Sequence, residues 1–336
     1  MTSLFLSSAF LTKRTLPENL RDRDYFLFHK HMEYHAPNAS IQTLDNIYAS
    51  KMGYLFQGNR VLPKSFVAGS PPNKRRQRRE AYKNWLMRPF AKTRKSALWI
   101  TDTWSHNYFH WLTDCIPRLH TTLKLFPEAQ LYLPATLKRA GFLSQTLAAY
   151  SIQTPKFVDT SMPVRFQEFL LPDHIVPTGN YNPALMKEIA ARYIRHFSDD
   201  KPATRRLYIS RAKAGMRHIV NEEDILPSLK EAGFEVLHCE DLGFIEQVKT
   251  FNEAEIVIAP HGAGLTNTLF MPAGSKLLEI FPRDDTINAC YFSLSAALGH
   301  RYSYMFACPE TRVQVPYSSN LVIDTEAFSK ELARLL

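Results

Sequence analysis

The spacing of apolar positions changes several times along this chain, and the changes mark its elements. From Ser96 onward, short apolar runs alternate with longer stretches in which apolar residues recur at helical intervals. SALWITD, QLYLPA and KFVDT read as buried strands, HNYFHWLTDCIPRLHTTLKLF as a helix interrupted near Pro117, and LKRAGFLSQTLAAY as a second helix. FLLPDHIVPTGNYNP is less regular, and residues 182–197 have the pattern of an amphipathic helix. Polar SDDKPATRR then interrupts the pattern, so residues 198–206 are read as a linker. Beyond it the alternation is cleanest. RLYISR, FEVLHCE, EIVIAP, KLLEIF and YSYMFA are strands, separated by the helical NEEDILPSLKEAG, FIEQVKTFNEA, LTNTLFM and NACYFSLSAALG. Strand and helix units of this length predict an α/β chain with a doubly wound parallel sheet, whose ligands bind beyond the carboxyl ends of the strands. The expected organisation is 1–95 as an extension contributing to a first domain, 96–197 as that domain's α/β body, and 207–336 as a second α/β domain. The final helix, 325–336, would pack back on the first domain.

Charge adds a partner class. With 336 residues and 45% hydrophobic content the chain can bury a sizeable core, and its formal charge of +9 favours a polyanionic partner. The most basic segment, PPNKRRQRREAYKNWLMRPFAKTRK, carries Trp85 and Phe90 among its cations. A solvated basic face accounts for it; so would peripheral contact of residues 74–94 with an anionic membrane, where clustered Lys and Arg gain about 1 kcal/mol each. It has none of the signatures of a nucleic-acid-binding fold, so no nucleic acid is expected. The apolar run in MTSLFLSSAFLTKR is short and its basic residues follow it, so no cleaved signal is expected, and no window approaches the ~18 apolar residues of a membrane span. Cys115, Cys239, Cys290 and Cys308 lack CxxC spacing and read as reduced core thiols. A cytoplasmic protein, peripheral to the inner membrane through 74–94, is the resulting expectation.

Three stretches carry candidate chemistry. In APHGAGLTN, His261, Gly262 and Gly264 occupy the turn after a strand and open a helix whose N-terminus can receive an anion, with Thr266 adding a hydroxyl; the glycines would equally serve a tight turn. Glu279, ending LLE at the same sheet edge, is either solvated or an acceptor of ribose hydroxyls. In YISRAKAGMR, Ser210, Arg211, Lys213 and Arg217 follow a strand at that edge and can converge on an anion, although an ordinary basic loop has the same composition. In DTWSHNYFHWLTD, His106, His110 and Asp114 follow one another at four-residue intervals on a predicted helix. That face could hold a metal, as in a metal-dependent hydrolase, but Asn107 stands where an HExxH motif has glutamate; acid–base chemistry through His110 or Asp114, or plain capping, are the other readings.

Together, NYFHWLTDCIPRL, LYISRAKAGMRHIVNEEDI and PHGAGLTNTLFMPAGSKLLEIFP, in this order, resemble the glycosyltransferase family 61 domain, associated with capsular polysaccharide synthesis. The resemblance spans residues 96–309. It implies a GT-B-like α/β architecture, two Rossmann-like domains facing a central cleft, with the acceptor on the first and a nucleotide-sugar donor on the second. It also implies inverting, metal-independent transfer to a hydroxyl of a glycan or glycolipid, from UDP-xylose or UDP-N-acetylglucosamine in eukaryotic members, and a place in capsule or lipopolysaccharide synthesis. No cofactor beyond the donor is then needed, and no metal; Asp22-Arg23-Asp24 matches a DxD pattern but lacks a preceding strand. Carried onto this chain, Arg211 would bind the donor diphosphate with Ser210, Lys213 and Arg217. His261, Gly262, Gly264 and Thr266 would cradle it from the other side, and Glu279 would hold the ribose. Asp114 would be the base, with His110 second in line. A non-catalytic nucleotide-sugar or polysaccharide-binding protein of the same fold is the alternative.

Overall fold

The computed structural model describes residues 2–67, 73–199, 201–282, 286–310 and 319–336. By contacts the chain forms two compact units, one of residues 1–11 and 35–182 and the other of 12–34 and 183–336.

The first unit is built on a mixed sheet. Its long central strand β2 (Ala39–Ala49) pairs antiparallel with β1 (Thr2–Ser7) and β3 (Leu55–Gln57) on one edge, and with β7 (Val164–Pro172) on the other. β7 runs parallel to β4 (Lys92–Leu98), from which a bridge between Leu98 and Leu131 leads to the parallel pair β5 (Tyr132–Pro134) and β6 (Lys156–Val158). The first ninety residues, in which the pattern marks no motif, thus supply the antiparallel half of the sheet. The sequence pattern does not mark β7 as a strand, and its last four residues, Phe169–Pro172, open the stretch read as irregular: its VRFQEFLLP alternates over only part of its length, because Phe169 to Leu171 are all buried. Leu44, Ile47, Trp99, Phe166 and Phe169 fill the core.

Helix α1 (Lys74–Met87) rests on the β3 end of this sheet. The DTWSHNYFHWLTDCIPR stretch becomes a continuous helical run, Tyr108–His110, then a π turn at Trp111–Cys115, then α2 (Ile116–Leu125). Pro117 does not break it. Proline has no N–H to give four residues back and its ring crowds that carbonyl, so the turn before it widens. The Ile116 amide accordingly donates to the carbonyl of Trp111, five residues back. Helix α3 (Leu143–Ala148) completes the layer.

The second unit is the doubly wound sheet the pattern predicts. β8 (Arg205–Ile209), β9 (Phe234–Leu237), β10 (Ala254–Pro260), β11 (Lys276–Pro282) and β12 (Arg301–Pro309) are all parallel, in the order β9-β8-β10-β11-β12, with β13 (Leu321–Val322) antiparallel at the edge. Both faces are covered, which is why EIVIAP and LLEIF read as unbroken apolar runs. One face holds Tyr208, Ile256, Ile258, Leu278 and Ile280 against Leu229 of α5 (Leu226–Glu231) and Phe328, Leu332 and Leu335 of α8 (Thr325–Leu335).

Three segments differ from expectation. Helix α8, expected to pack back on the first domain, packs on this sheet within the second unit, where its apolar stripe covers a face that would otherwise be open. Helix α4 (Pro183–Phe197), placed before the linker by the sequence, belongs to the second unit, where Tyr193 meets Phe244 of α6 (Phe244–Asn252) and Phe270 at 5.1 and 5.9 Å. Residues 12–34 also join it: Asn19 donates to the Tyr304 carbonyl at 2.7 Å and to Glu331 at 2.8 Å, and Phe28 meets Phe292 of α7 (Cys290–Leu298) at 5.3 Å. Asp24 of the DxD-like triplet accepts the Tyr304 hydroxyl at 2.7 Å, a structural bond inside this unit.

Candidate active site

In a parallel sheet of this order the chain leaves β8 toward one side, returns, and leaves β10 toward the other, which opens a crevice beyond their carboxyl ends. Ser210-Arg211 follow β8 and His261-Gly262 follow β10. Arg211 crosses directly over Gly262. A Cβ on Gly262 would lie 1.9 Å from Arg211 Nη1 and 2.8 Å from Cζ, so the glycine is there to admit the guanidinium. Its backbone is extended, φ 176° and ψ 170°, and needs no glycine for conformational reasons. Gly264, the second residue of the 3₁₀ helix Ala263–Phe270, has a different role: a Cβ there would press on Cys239 Sγ and Ile209 Cγ2 at 3.2 and 3.3 Å.

Arg211 Nη2 donates to the Met216 carbonyl at 3.0 Å, which folds the loop back and brings Arg217 alongside. Arg217 sits at φ 61°, a left-handed conformation unfavourable for a long side chain and commonest where geometry serves a function. The Nε atoms of both arginines are buried without a hydrogen-bond partner, and neither forms an ion pair among the described residues. Burial, then the neighbouring Arg217 charge, pulls Arg211 below the usual guanidinium range; burial does the same to Arg217, opposed by the groups around it. Two cations held together, partly desolvated and short of acceptors, make a seat for a polyanion.

The other residues expected here sort differently. Ser210 donates to Glu222 at 2.8 Å beside the Tyr208 hydroxyl at 2.7 Å, so it fastens the loop to the strand. Lys213 is turned away in an exposed pair with Asp241. Thr266 is buried against the Tyr291 hydroxyl at 3.4 Å. Glu279 departs furthest from the ribose role: it is fully buried, one oxygen held by His261 Nδ1 at 2.5 Å and the other by the Tyr302 hydroxyl at 2.7 Å. The expectation of a place at the sheet edge does not hold: Glu279 lies mid-strand in β11 with its side chain inside the covered sheet. It fixes the His261 ring, which in turn stacks on Phe281 at 5.5 Å.

In the first unit a second constellation lies past the ends of β4 and β7. The π turn brings His110 Nδ1 to 2.8 Å from Asp114 Oδ2, and Thr178 donates to the same oxygen at 2.9 Å. Asp114 is 4% exposed, so its carboxylate faces its partners and not an incoming hydroxyl. With Nδ1 donating to the carboxylate, a neutral His110 keeps its lone pair on Nε2. Asp102 and His174, neither singled out by the sequence, form a second such pair at 2.9 Å. Burial pushes the Asp102 carboxyl up, but the His174 hydrogen bond, the His174 and Arg118 charges and the Trp104 amide together pull it down to about 2. Arg118 is buried behind both pairs, bonding the Ile100 carbonyl at 2.6 Å and Pro172 at 2.7 Å, and so ties the two strand ends together.

His106 is not on the helix. It is exposed in the turn before it and lines an open pocket of about 630 Å³ with Asp102, Trp104, Tyr54 and Arg76. Trp104 spans the pocket wall and His110, whose ring lies 4.9 Å away. The three-residue metal face is therefore not assembled, and among the described residues no group of three or more His, Cys, Asp and Glu side chains is placed to share an ion. The sequence did offer one signal for the missed pair: Asp102 closes SALWITD, a lone carboxylate at a strand's carboxyl end. His174 was hidden because β7 itself was.

Residues 108–278, running from the π turn through the arginine loop and the glycine turn, match the family model Glycosyltransferase 61. This chain belongs to glycosyltransferase family 61. Among curated proteins this family 61 chain is similar to a beta-1,2-xylosyltransferase of Oryza sativa subsp. japonica, 27% identical over 205 residues covering 53% of this chain and 35% of the relative. It is also similar to EGF domain-specific O-linked N-acetylglucosamine transferases, 33% identical over 91 residues in Mus musculus (26% of this chain, 17% of the relative) and 32% over 98 residues in Drosophila melanogaster (28% and 18%). The chain spans about a third or less of the length of these relatives.

Proposed function

We propose that this chain is an inverting glycosyltransferase that moves a sugar from a UDP-sugar to a hydroxyl of a glycan. The observation that carries the reading is the pair Arg211 and Arg217, both with buried, unpartnered Nε atoms, the Arg211 guanidinium crossing Gly262 at the strand-order reversal. These cations fit a diphosphate, and the family membership makes a nucleotide sugar the donor to expect.

In this mechanism His110 Nε2 accepts the proton of the acceptor hydroxyl as its oxygen attacks the anomeric carbon. The bond from that carbon to the diphosphate oxygen breaks, configuration inverts, and UDP leaves with the electron pair. Asp114 keeps the His110 ring in the tautomer with Nε2 unprotonated and stabilises the imidazolium that forms. Arg211 and Arg217 meet the charge growing on the leaving diphosphate, the role a metal has in other transferases. The pocket walled by Trp104 and Asp102 supplies an aromatic face and hydrogen-bonding groups for a sugar ring of the acceptor.

UDP should raise the melting temperature of the wild type by mass action and leave that of Arg211→Ala and Arg217→Ala variants unmoved. With glycan acceptors, UDP release from a UDP-sugar should depend on acceptor in the wild type and vanish in His110→Ala, which still binds UDP. Unaltered UDP stabilisation in both arginine variants overturns the donor assignment; UDP binding with no transfer to any acceptor makes the chain a binding protein.

A further inference from the structure

Helix α1 presents two unlike faces. Its seat is the stripe Gln77, Ala81, Asn84 and Arg88: Ala81 packs on the Tyr54, Phe56 and Phe66 cluster, Asn84 is 2% exposed, and the Arg88 guanidinium lies 5.6 Å from the Tyr48 ring centre. The opposite stripe, at helical spacing, is Arg75, Arg78, Arg79, Tyr82, Trp85 and Leu86, all exposed. Tyr82, Trp85 and Leu86 keep 62, 50 and 51% of their surface open, Phe90 just beyond keeps 68%, and the Tyr82 and Trp85 rings lie 5.8 Å apart. The helix has one acidic residue, Glu80, beside Arg79 and Lys83. Exposed Lys92, Arg94 and Lys95 on β4 extend the positive charge.

We propose that this face of α1, with Phe90 and the cations of β4, docks the protein on an anionic lipid bilayer. Charge alone would suit any polyanion. What selects lipid is the apolar half: Leu86 and Phe90 offer nothing to a phosphate backbone, whereas Trp, Tyr, Phe and Leu beside Arg and Lys suit the boundary between headgroups and acyl chains. No helix of the described chain is long and apolar enough to cross a membrane, so contact through this face would be peripheral. Helix α1 also gives Arg76 to the pocket lined by Trp104 and Asp102. If that pocket takes the acceptor, as the proposed function has it, docking suits an acceptor anchored in the same bilayer.

The test is co-sedimentation of the full chain with phosphatidylcholine vesicles with and without phosphatidylglycerol. Binding should require phosphatidylglycerol and weaken by at least roughly tenfold in a Trp85→Ser/Leu86→Ser/Phe90→Ser variant that keeps every charge. Arg75→Gln/Arg78→Gln/Arg79→Gln should weaken it as well, and both variants should keep the wild-type melting temperature and UDP stabilisation, which separates this face from the donor site. Absence of vesicle binding, or wild-type binding by the serine variant, overturns the proposal. Binding lost only with the arginines, and displaced equally by duplex DNA, reassigns the face to nucleic acid.

Discussion

Gly262→Ala isolates the contact on which the proposed donor site rests. The extended backbone at Gly262 accepts alanine without strain, so any effect comes from the methyl group meeting Arg211, 1.9 Å from Nη1. The obstructed atom is the far end of a flexible side chain, so the guanidinium swings out and the fold loses about 1 kcal/mol or less. The site loses much more: a displaced, preorganised donor to developing charge costs about 3–4 kcal/mol, or ~10²–10³ in kcat. Gly264→Ala is the contrasting control, since its methyl would press on strand β8 and Cys239, and should lower stability. The assay is a double-mutant cycle of UDP-sugar turnover with Arg211→Ala, melting temperatures being read in parallel. In the Arg211→Ala background the methyl has room, so Gly262→Ala should add no more than about 0.5 kcal/mol to the barrier. Equal losses from Gly262→Ala in the two backgrounds, or none in the wild type, would refute the reasoning.

Other outcomes follow from the same geometry. Asp114→Asn should lower kcat by about 10²–10⁴ while UDP stabilisation persists, because it disturbs the tautomer and orientation of His110; unchanged turnover would free His110 of the base role. Glu279→Gln should lower the melting temperature because an amide cannot accept from His261 and the Tyr302 hydroxyl on two oxygens at once, yet leave the preference for UDP over 2′-deoxy-UDP as in the wild type, since the carboxylate is sealed inside; a lost preference would restore its ribose role. His300, buried and donating to the Thr268 carbonyl at 2.9 Å, has its pKa pulled by burial from 6.5 to about 4. Its contribution is complete above pH 6.5 and disappears as pH falls through 4, roughly 3 kcal/mol in all. Denaturant titrations of wild type and His300→Gln should therefore differ in acid sensitivity across that window.

Much of the second unit was legible because each of its elements announces itself locally. Parallel strands buried on both faces must be apolar throughout, and helices between them must be amphipathic, so the alternation identifies the sheet and the strand ends that carry Arg211 and Gly262. The first unit was less legible for the converse reason. Its central strand draws partners from residues 2–7, 55–57 and 164–172, and pairing over such separations leaves no local period. The π turn shares this property: Pro117 predicts a disturbance, but whether the helix breaks or widens depends on the packing that holds both halves.

Residue types and order along the chain were enough to determine the family, the doubly wound sheet and the three stretches bearing chemistry. Tertiary structure alone decided which members of those stretches have their polar groups already satisfied. It turned Glu279 inward to His261 and Tyr302, drew Lys213 out to Asp241, left Arg211 and Arg217 short of acceptors, and paired Asp114 with His110. The reason is physical: a side chain's identity fixes what bonds it can make, but whether those bonds are already satisfied depends on neighbours brought from elsewhere in the chain.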